Sequence, residues 1–174
     1  GVNDVPALKA SRLAIAQGSG TQMAKSVADV VLVRGDFAAV PPMVAEGRKV
    51  LLALNTYAQP GSFERWTGAL DVAADLGVDA VILADPGLMR YAVERHPDLR
   101  LHLSVQGSAT TYEAINFYVR RFGVRRAVLP RVLSLAQVEH VIGQAECEIE
   151  VFGFGSLCVM VEGRCALSSY TTGE

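Results

Sequence analysis

The sequence of 174 residues is poor in cysteine, in net charge and in long apolar runs, and each shortage excludes a class of protein. Three cysteines, an odd number with no secretory leader ahead of them, do not make a disulfide scaffold and favour a reducing, cytoplasmic setting. No apolar run approaches the roughly 20 residues that cross a bilayer, so we expect no membrane segment. A formal charge of −2 gives no general attraction for polyanions, and we expect no nucleic-acid partner.

The residues that are present suit a folded domain, because 51% are apolar and only 20% are charged. One local exception is a basic cluster formed by Arg120, Arg121, Arg125 and Arg126. We interpret this cluster as the solvated end of a helix and its loop, with a phosphate-binding patch as the alternative.

The first 48 residues alternate between helix and strand, with short apolar strands near 13–16 and 28–33. Two strings resemble the hinge segment in the phosphorylation domain of P-type cation-transporting ATPases. They are Gly1-Val-Asn-Asp-Val-Pro-Ala-Leu-Lys9 and Gly18-Ser-Gly-Thr21. The resemblance implies a small α/β segment of haloacid-dehalogenase-like type. It also implies that Asn3 and Asp4 support a magnesium and phosphate site.

The same resemblance argues against ATPase activity in this chain. The aspartate that precedes the hinge glycine in that family, and the phosphorylation motif itself, are absent from the sequence. Phosphoryl transfer needs the acceptor carboxylate and its metal ligands aligned together. We therefore expect Mg²⁺ binding by Asn3 and Asp4 to have no function here.

From residue 49 onward, short apolar strands and amphipathic helices alternate with a period of about 25 residues. This alternation predicts parallel strands joined by right-handed crossovers, either in a barrel or in a doubly wound sheet. The predicted strands are 50–55, 80–84, 101–105, 126–129 and 148–152, and the predicted helices are 62–76, 87–95, 111–122 and 134–144.

Polar residues follow the predicted strands, and in a parallel α/β fold such positions converge on one rim, where ligands bind. The four candidates for a substrate rim are Asn55, Asp85, Gln106 and Arg131. Asp85 and Arg131 are candidates to orient a polar substrate. The alternative is that Asp85 caps the next helix and Arg131 pairs with it.

The histidines and serines give weaker signals. We expect His96 and His140 to lie on the surface, whereas His102, inside a strand, is a candidate to face the rim. No arrangement of a nucleophile with its base is evident for Ser104, Ser134 or Ser156, so the catalytic residues stay unassigned.

The last 25 residues hold two thiols, Cys158 and Cys165, in a glycine-rich segment after a strand. Thiolates favour zinc, copper or iron–sulfur clusters, and glycines let the backbone wrap closely around a cluster. A closed zinc or cluster site needs about four protein ligands. These two cysteines therefore form half of a site.

Residues from about 48 to 174 resemble the collagenase-like peptidase family. The strings that carry the resemblance are Leu54-Asn-Thr-Tyr57, Ile82-Leu-Ala-Asp85, His102-Leu-Ser-Val-Gln106, Val128-Leu-Pro-Arg131 and the tail Glu150-Val-Phe-Gly-Phe-Gly-Ser-Leu-Cys158 through Cys165-Ala-Leu-Ser168.

This family includes UbiU, a protein of oxygen-independent ubiquinone hydroxylation, and relatives that act in RNA hydroxylation. The resemblance implies a TIM-barrel-like fold, a [4Fe–4S] cluster and a homologous protein partner in a heterodimer. Cys158 and Cys165 match the first two cluster ligands, and Cys147 matches none of them.

The two resemblances divide the chain into an ATPase-like segment, 1–48, and an incomplete barrel of five strands, 49–174. Residue 1 is not methionine, and we interpret the chain as a chimeric fragment, inactive alone. The alternatives are a fragment of a P-type ATPase and a non-catalytic interaction module whose sheet edges pair with another chain.

Overall fold

The structure is a computed structural model that describes residues 15–17, 30–32, 49–55, 57–153, 160–161 and 164–165. The chain divides into two compact units, of which one comprises residues 51–152. The other unit comprises residues 1–50 together with residues 153–174.

In the unit that contains the amino terminus, β1 (Ile15–Gln17) and β2 (Val30–Leu32) form a parallel pair. These two strands confirm the predictions near 13–16 and 28–33, and the helices predicted around them lie outside the described residues. A parallel strand pair occurs in many α/β folds. The haloacid-dehalogenase-like identity of this segment therefore stays a prediction.

Residues 51–152 form one parallel sheet with a helix in each connection. The strands are β3 (Leu51–Leu54), β4 (Ala80–Leu83), β5 (Leu101–Leu103), β6 (Arg126–Val128) and β7 (Glu148–Glu150). The helices are α1 (Phe63–Asp75), α2 (Pro86–Arg95), α3 (Tyr112–Phe122) and α4 (Leu135–Gln144). Every strand and helix that the sequence predicted in this part of the chain is confirmed, with ends shifted by at most two residues.

The strand order across this sheet is the same as the order in sequence, β3-β4-β5-β6-β7, and every neighbouring pair is parallel. Successive helices contact one another, so the four helices form one layer. A doubly wound sheet reverses its strand order at a switch point, and the described strands contain no reversal. The α/β class is thus confirmed, and the finer TIM-barrel-like assignment stays a prediction.

The core lies between this sheet and its helices. Leu54, Leu83, Leu103 and Ala127 fall in one row across the sheet and are all buried. The helices complete the core with the fully buried residues Leu70, Leu88, Met89 and Ile115. Each such leucine stabilises the fold by about 1.5–3 kcal/mol relative to an exposed position.

Side-chain caps explain where the helices begin. Asp85 caps α2, Thr111 caps α3, and Ser134 forms a capping box with Gln137 at the start of α4. The end of α3 is set by Gly123, whose φ of 66° lies in the left-handed region that favours glycine.

The other face of the sheet carries a polar row, because side chains alternate along a strand. Arg126 lies next to His102 on one side and Glu148 on the other, and it pairs with Glu148 at 2.8 Å and Glu150 at 3.3 Å. The bond from Arg126 holds the pKa of Glu148 below its ordinary value. Because these carboxylates are about half exposed, the ion pairs add little stability.

Near the carboxyl terminus, β8 (Met160–Val161) and β9 (Arg164–Cys165) pair antiparallel, with Met160 opposite Cys165. Across the described residues, no helix combines the length and apolar character needed to span a membrane.

Candidate functional site

Hydrogen bonds join the loops that follow three neighbouring strands. The loop after β3 reaches the next two: the Ala58 N–H donates to Asp85 Oδ2 at 3.0 Å, and the Tyr57 hydroxyl donates to the Gln106 carbonyl at 3.4 Å. Because the strands are parallel, these residues share the carboxyl-end rim of the sheet. Burial raises the pKa of Tyr57, so its hydroxyl stays a donor at neutral pH.

Asp85 uses both carboxylate oxygens within the fold. Oδ1 accepts from the backbone N–H groups of Gly87 at 2.7 Å and Leu88 at 3.2 Å, and Oδ2 accepts from Ala58. The alternative that Asp85 caps the next helix is therefore confirmed. Arg131 is not among the Asp85 partners in the described part of the chain, so the expected pairing of these two residues is not seen.

Gln106 has a buried side-chain oxygen that lacks a partner among the residues that the structure describes. The residue is 6% exposed and lies in a short 3-10 helix, Val105–Gly107, that begins directly after β5. Its backbone groups are satisfied by Ser104 and Tyr57, but Oε1 is buried and accepts no hydrogen bond from any described residue. The turn ends at Ser108 in a left-handed conformation, with φ of 51°, which is uncommon for a residue other than glycine.

Arg131 lies in the loop after β6 and has a buried donor without a partner. Its Cζ lies 3.7 Å from the centroid of the Phe152 ring, which follows β7. This stacking holds the guanidinium by a cation–π interaction, while Nη2 is buried and donates to no group within the described ranges. The loops of two adjacent strands thus hold one buried acceptor and one buried donor that have no partner in the described part of the chain.

All four predicted rim residues follow the carboxyl ends of strands, as Asn55 directly follows β3. Their roles in binding a substrate stay predictions. The structure adds Tyr57 and Phe152, which sequence reasoning did not assign to the site. Tyr57 lies three positions past the end of β3 and Phe152 two past the end of β7, so the rule that selected the polar residues also finds them when it is applied to aromatic side chains.

Two of the three histidines, His102 and His96, differ from expectation. His102 is 4% exposed in the middle of β5, and its Nε2 accepts from Arg100, which lies at the amino end of that strand. His102 therefore does not face the rim. Burial, with the nearby charges of Arg126 and Arg100, lowers its pKa to about 4, so the ring is neutral at pH 7.

His96 is not a free surface residue, because its Nε2 lies 2.6 Å from Asp71 Oδ1 and its side chain is only 21% exposed. Tyr91 also donates to Asp71, at 3.0 Å. His140 is exposed, as expected, and contacts the Tyr112 ring edge-on.

The described serines named above are helix caps rather than nucleophiles. Ser104 Oγ accepts from the Gln106 N–H, and Ser134 Oγ accepts from the Gln137 N–H. Ser156 lies outside the described residues. Neither described serine contacts a histidine, so they give no support to serine peptidase chemistry.

The predicted ligands fall largely outside the described part of the chain. Asn3, Asp4 and Cys158 lie outside it, and Cys165 is described only as part of β9. Between residues 49 and 153, no group of three metal-ligating side chains comes together. Cys147 precedes β7 at the amino end of the sheet, and burial raises the pKa of its thiol, which disfavours the thiolate that a cluster requires.

Residues 38–174 match peptidase family U32. The tRNA hydroxylation protein P of Escherichia coli K12 is 35% identical over 127 residues, which are 72% of this chain and 28% of that protein. The uncharacterized protease MJ0090 of Methanocaldococcus jannaschii is 37% identical over 132 residues, covering 73% of this chain and 31% of that protein. The chain thus spans about a third or less of the length of these relatives.

A solved structure of the U32 peptidase Mk0906 superposes with a TM-score of 0.54 at 17% identity, covering 81% of this chain and 68% of that one. This likeness concerns the fold alone. The family match begins at residue 38, ahead of the predicted junction near residue 48. The ATPase-like identity of the preceding segment stays a prediction.

The resemblance to collagenase-like peptidases is confirmed by the family match over most of the sequence, and the parallel sheet agrees with it. This chain belongs to peptidase family U32.

Proposed function

We propose that this chain is the part of a tRNA hydroxylation protein that holds the edge of an RNA base at the rim formed by the loops after β3 to β7. The observation that carries the proposal is the pair of buried, unpartnered polar atoms, Gln106 Oε1 and Arg131 Nη2. Relatives from several bacteria carry names as tRNA hydroxylation proteins, which supply the class of reaction. These names favour an RNA ligand, in place of the expectation from net charge that the chain has no nucleic-acid partner.

The chemistry of the two free groups favours a ligand with one donor and one acceptor. A buried acceptor without a partner destabilises the free protein by about 1–3 kcal/mol, and a ligand donor that reaches it removes this cost. A pyrimidine or purine edge carries an N–H or NH₂ donor beside a carbonyl or ring-nitrogen acceptor. Gln106 therefore accepts from the base and Arg131 donates to it.

The surrounding hydrogen bonds hold this site in place. Tyr57 bonds the Gln106 carbonyl, and Asp85 joins the Ala58 loop to the start of α2. The loops that carry the ligand-binding groups are thus supported by Tyr57 and Asp85, which make hydrogen bonds within the protein. Such support keeps binding groups near their productive positions.

The iron–sulfur cluster belongs to the same proposal. Two soft thiol donors fit a cluster chemically, but about four cysteines are needed, so Cys158 and Cys165 supply only half of the ligands. A bound cluster would supply electron transfer. The residues derived above bind and orient the substrate and need no step through that group. We assign the fold of the whole protein as TIM-barrel-like, with this chain contributing five of its strands.

Two finer expectations receive no support beyond the sequence. The relatives are named for tRNA hydroxylation, so hydroxylation of ubiquinone and a heterodimeric partner stay predictions. The interaction-module and ATPase alternatives also stay predictions, since no observation in the described residues favours them.

The test is a graft of residues 49–174 into the E. coli tRNA hydroxylation protein P in place of its matching segment. The graft is expressed in cells that lack the native protein, and hydroxylated nucleosides in tRNA are measured by mass spectrometry. We expect hydroxylation with the grafted sequence, its loss with Gln106→Leu, and its retention with Gln144→Leu, an exposed residue at the end of α4. A stable graft that yields no hydroxylated tRNA contradicts the proposed function, and full activity with Gln106→Leu contradicts the role of the rim.

A further inference from the structure

A second site lies at the amino ends of β5 and β6, opposite the rim. It is a cavity of about 470 Å³, within the size range of ligand-binding clefts. Four arginines line it: Arg100 precedes β5, Arg125 precedes β6, and Arg120 and Arg121 lie in the last turn of α3. Asp98 is the only carboxylate residue that the described part of the chain contributes to its lining. The cavity lining therefore holds more positive than negative side chains, although the whole chain carries a charge of −2.

Two of these arginines are free to bind a ligand. Arg120 pairs with Glu146, and Arg100 reaches Glu148 at 3.5 Å. Arg121 and Arg125 are exposed and make no side-chain hydrogen bond or ion pair with the described residues. The left-handed Gly123 makes the turn between them, so one tight connection presents both guanidinium groups to the cavity.

A neighbouring cavity shows that this excess of positive charge is local. That cavity, of about 310 Å³, shares Arg100 and Arg125 with the first but adds Glu146 and Glu148 to its wall. Two cations face two anions there, whereas the larger cavity has four arginines against one carboxylate. Electrostatic complementarity thus favours an anion in the larger cavity alone.

We propose that this arginine cavity binds a backbone phosphate of the RNA whose base reaches the rim, with Arg121 and Arg125 as the phosphate-contacting residues. The proposal rests on the proposed function. Guanidinium groups bind phosphate through paired, charge-assisted hydrogen bonds. Contacts to phosphate position an RNA without reading its sequence, which suits a site distant from the base-binding rim.

The geometry allows one RNA to contact both ends of the sheet. The strands have three or four residues, so each is about 10–13 Å long, and a folded RNA of several nucleotides exceeds this length. The simpler interpretation, that Arg120 and Arg121 only offset the negative end of the α3 dipole, does not account for Arg125 and Arg100, which lie outside the helix.

The test measures binding of a fluorescein-labelled tRNA transcript to the full 174-residue chain by fluorescence anisotropy, at several salt concentrations. The variant is Arg121→Gln with Arg125→Gln, and the charge-matched control is Arg65→Gln with Arg90→Gln, on α1 and α2 outside the cavity lining. We expect the cavity variant to bind at least tenfold more weakly at about 0.1 M salt and to lose about one unit of the salt-dependence slope per arginine. The control should change neither quantity by as much.

Each outcome has a separate meaning. If the unaltered chain binds the transcript and the cavity variant binds equally well, with the same melting curve, the cavity assignment is wrong while the proposed function stands. If the unaltered chain binds no tRNA, the RNA premise of both fails. A parallel experiment measures binding to phosphatidylserine vesicles. If substitution of Arg121 and Arg125 weakens binding to the vesicles but not to the tRNA, the choice of RNA as the ligand is wrong.

Discussion

Replacement of Gln106 by leucine separates stability from function at the rim. The substitution removes a buried oxygen that has no partner, and it keeps the backbone bonds of residue 106 to Ser104 and Tyr57. Leucine has nearly the volume of glutamine, so no large cavity forms. We therefore expect Gln106→Leu to stabilise the chain although it removes the acceptor that a ligand requires.

The magnitude follows from the cost of an unpaired buried acceptor, about 1–3 kcal/mol. The side-chain nitrogen of Gln106 is not among the buried unpartnered atoms, so its lost hydration offsets part of the gain and the lower end applies. For a chain of this size, 1 kcal/mol corresponds to a rise in Tm of about 2–4 °C.

The assay is urea unfolding followed by circular dichroism, with Gln106→Glu as the opposite control. Residue 106 is only 6% exposed, so the charge of a glutamate there should destabilise the variant at pH 7. As the pH falls and the carboxyl is protonated, the variant should recover part of its stability. A loss of 1 kcal/mol or more in Gln106→Leu would refute the reasoning, because it would show that the amide makes a stabilising bond in the free protein.

Substitutions at three further positions test contacts within the sheet and its helices. Asp85→Ala should cost about 2–4 kcal/mol in urea unfolding, because the cap of α2 and the bond to Ala58 are lost together, whereas Asp85→Asn should retain most of the cap. Asn116→Leu should cost about 2–4 kcal/mol by the same assay, since its side chain bonds the Gln144 carbonyl at 3.0 Å and the Glu146 N–H at 2.8 Å. The pKa of His102 is about 4 in the folded chain and 6.5 in the unfolded chain, so protonation favours the unfolded chain. The free energy of unfolding should therefore decline by roughly 2 kcal/mol as the pH falls from 6.5 to 4. His102→Gln should flatten this part of the stability profile, and an unchanged slope would contradict the buried neutral ring.

The sheet and its helices were predictable because their signals are local. Apolar strands such as Leu51–Leu54 and caps such as Ser134 with Gln137 lie within a few consecutive residues. The choice between a doubly wound sheet and a sequential one was not predictable, since it depends on which strands pair. That information lies in packing between residues far apart in sequence.

The site was predictable in position but not in its contacts. Parallel strands place the residues that follow them on one rim, so Gln106 and Arg131 were found by counting past strand ends. The Tyr57 bond to Gln106 joins residues 49 apart, and no local pattern encodes it. His102 does not face the rim because its ring accepts from Arg100 at the amino end of β5, and a pattern of strand residues does not show toward which end of the strand a side chain bonds.

The sequential order of the five strands also bears on how the chain folds. Each strand pairs with the strands just before and after it in sequence, so one βα unit depends directly on its nearest neighbours. Stability in such arrays approaches a sum of unit and interface terms, and folding can start in one unit and spread to the next. Amide hydrogen exchange should therefore be slowest in β5, the central strand, and fastest in β3 and β7, which each have a single paired edge within the described sheet.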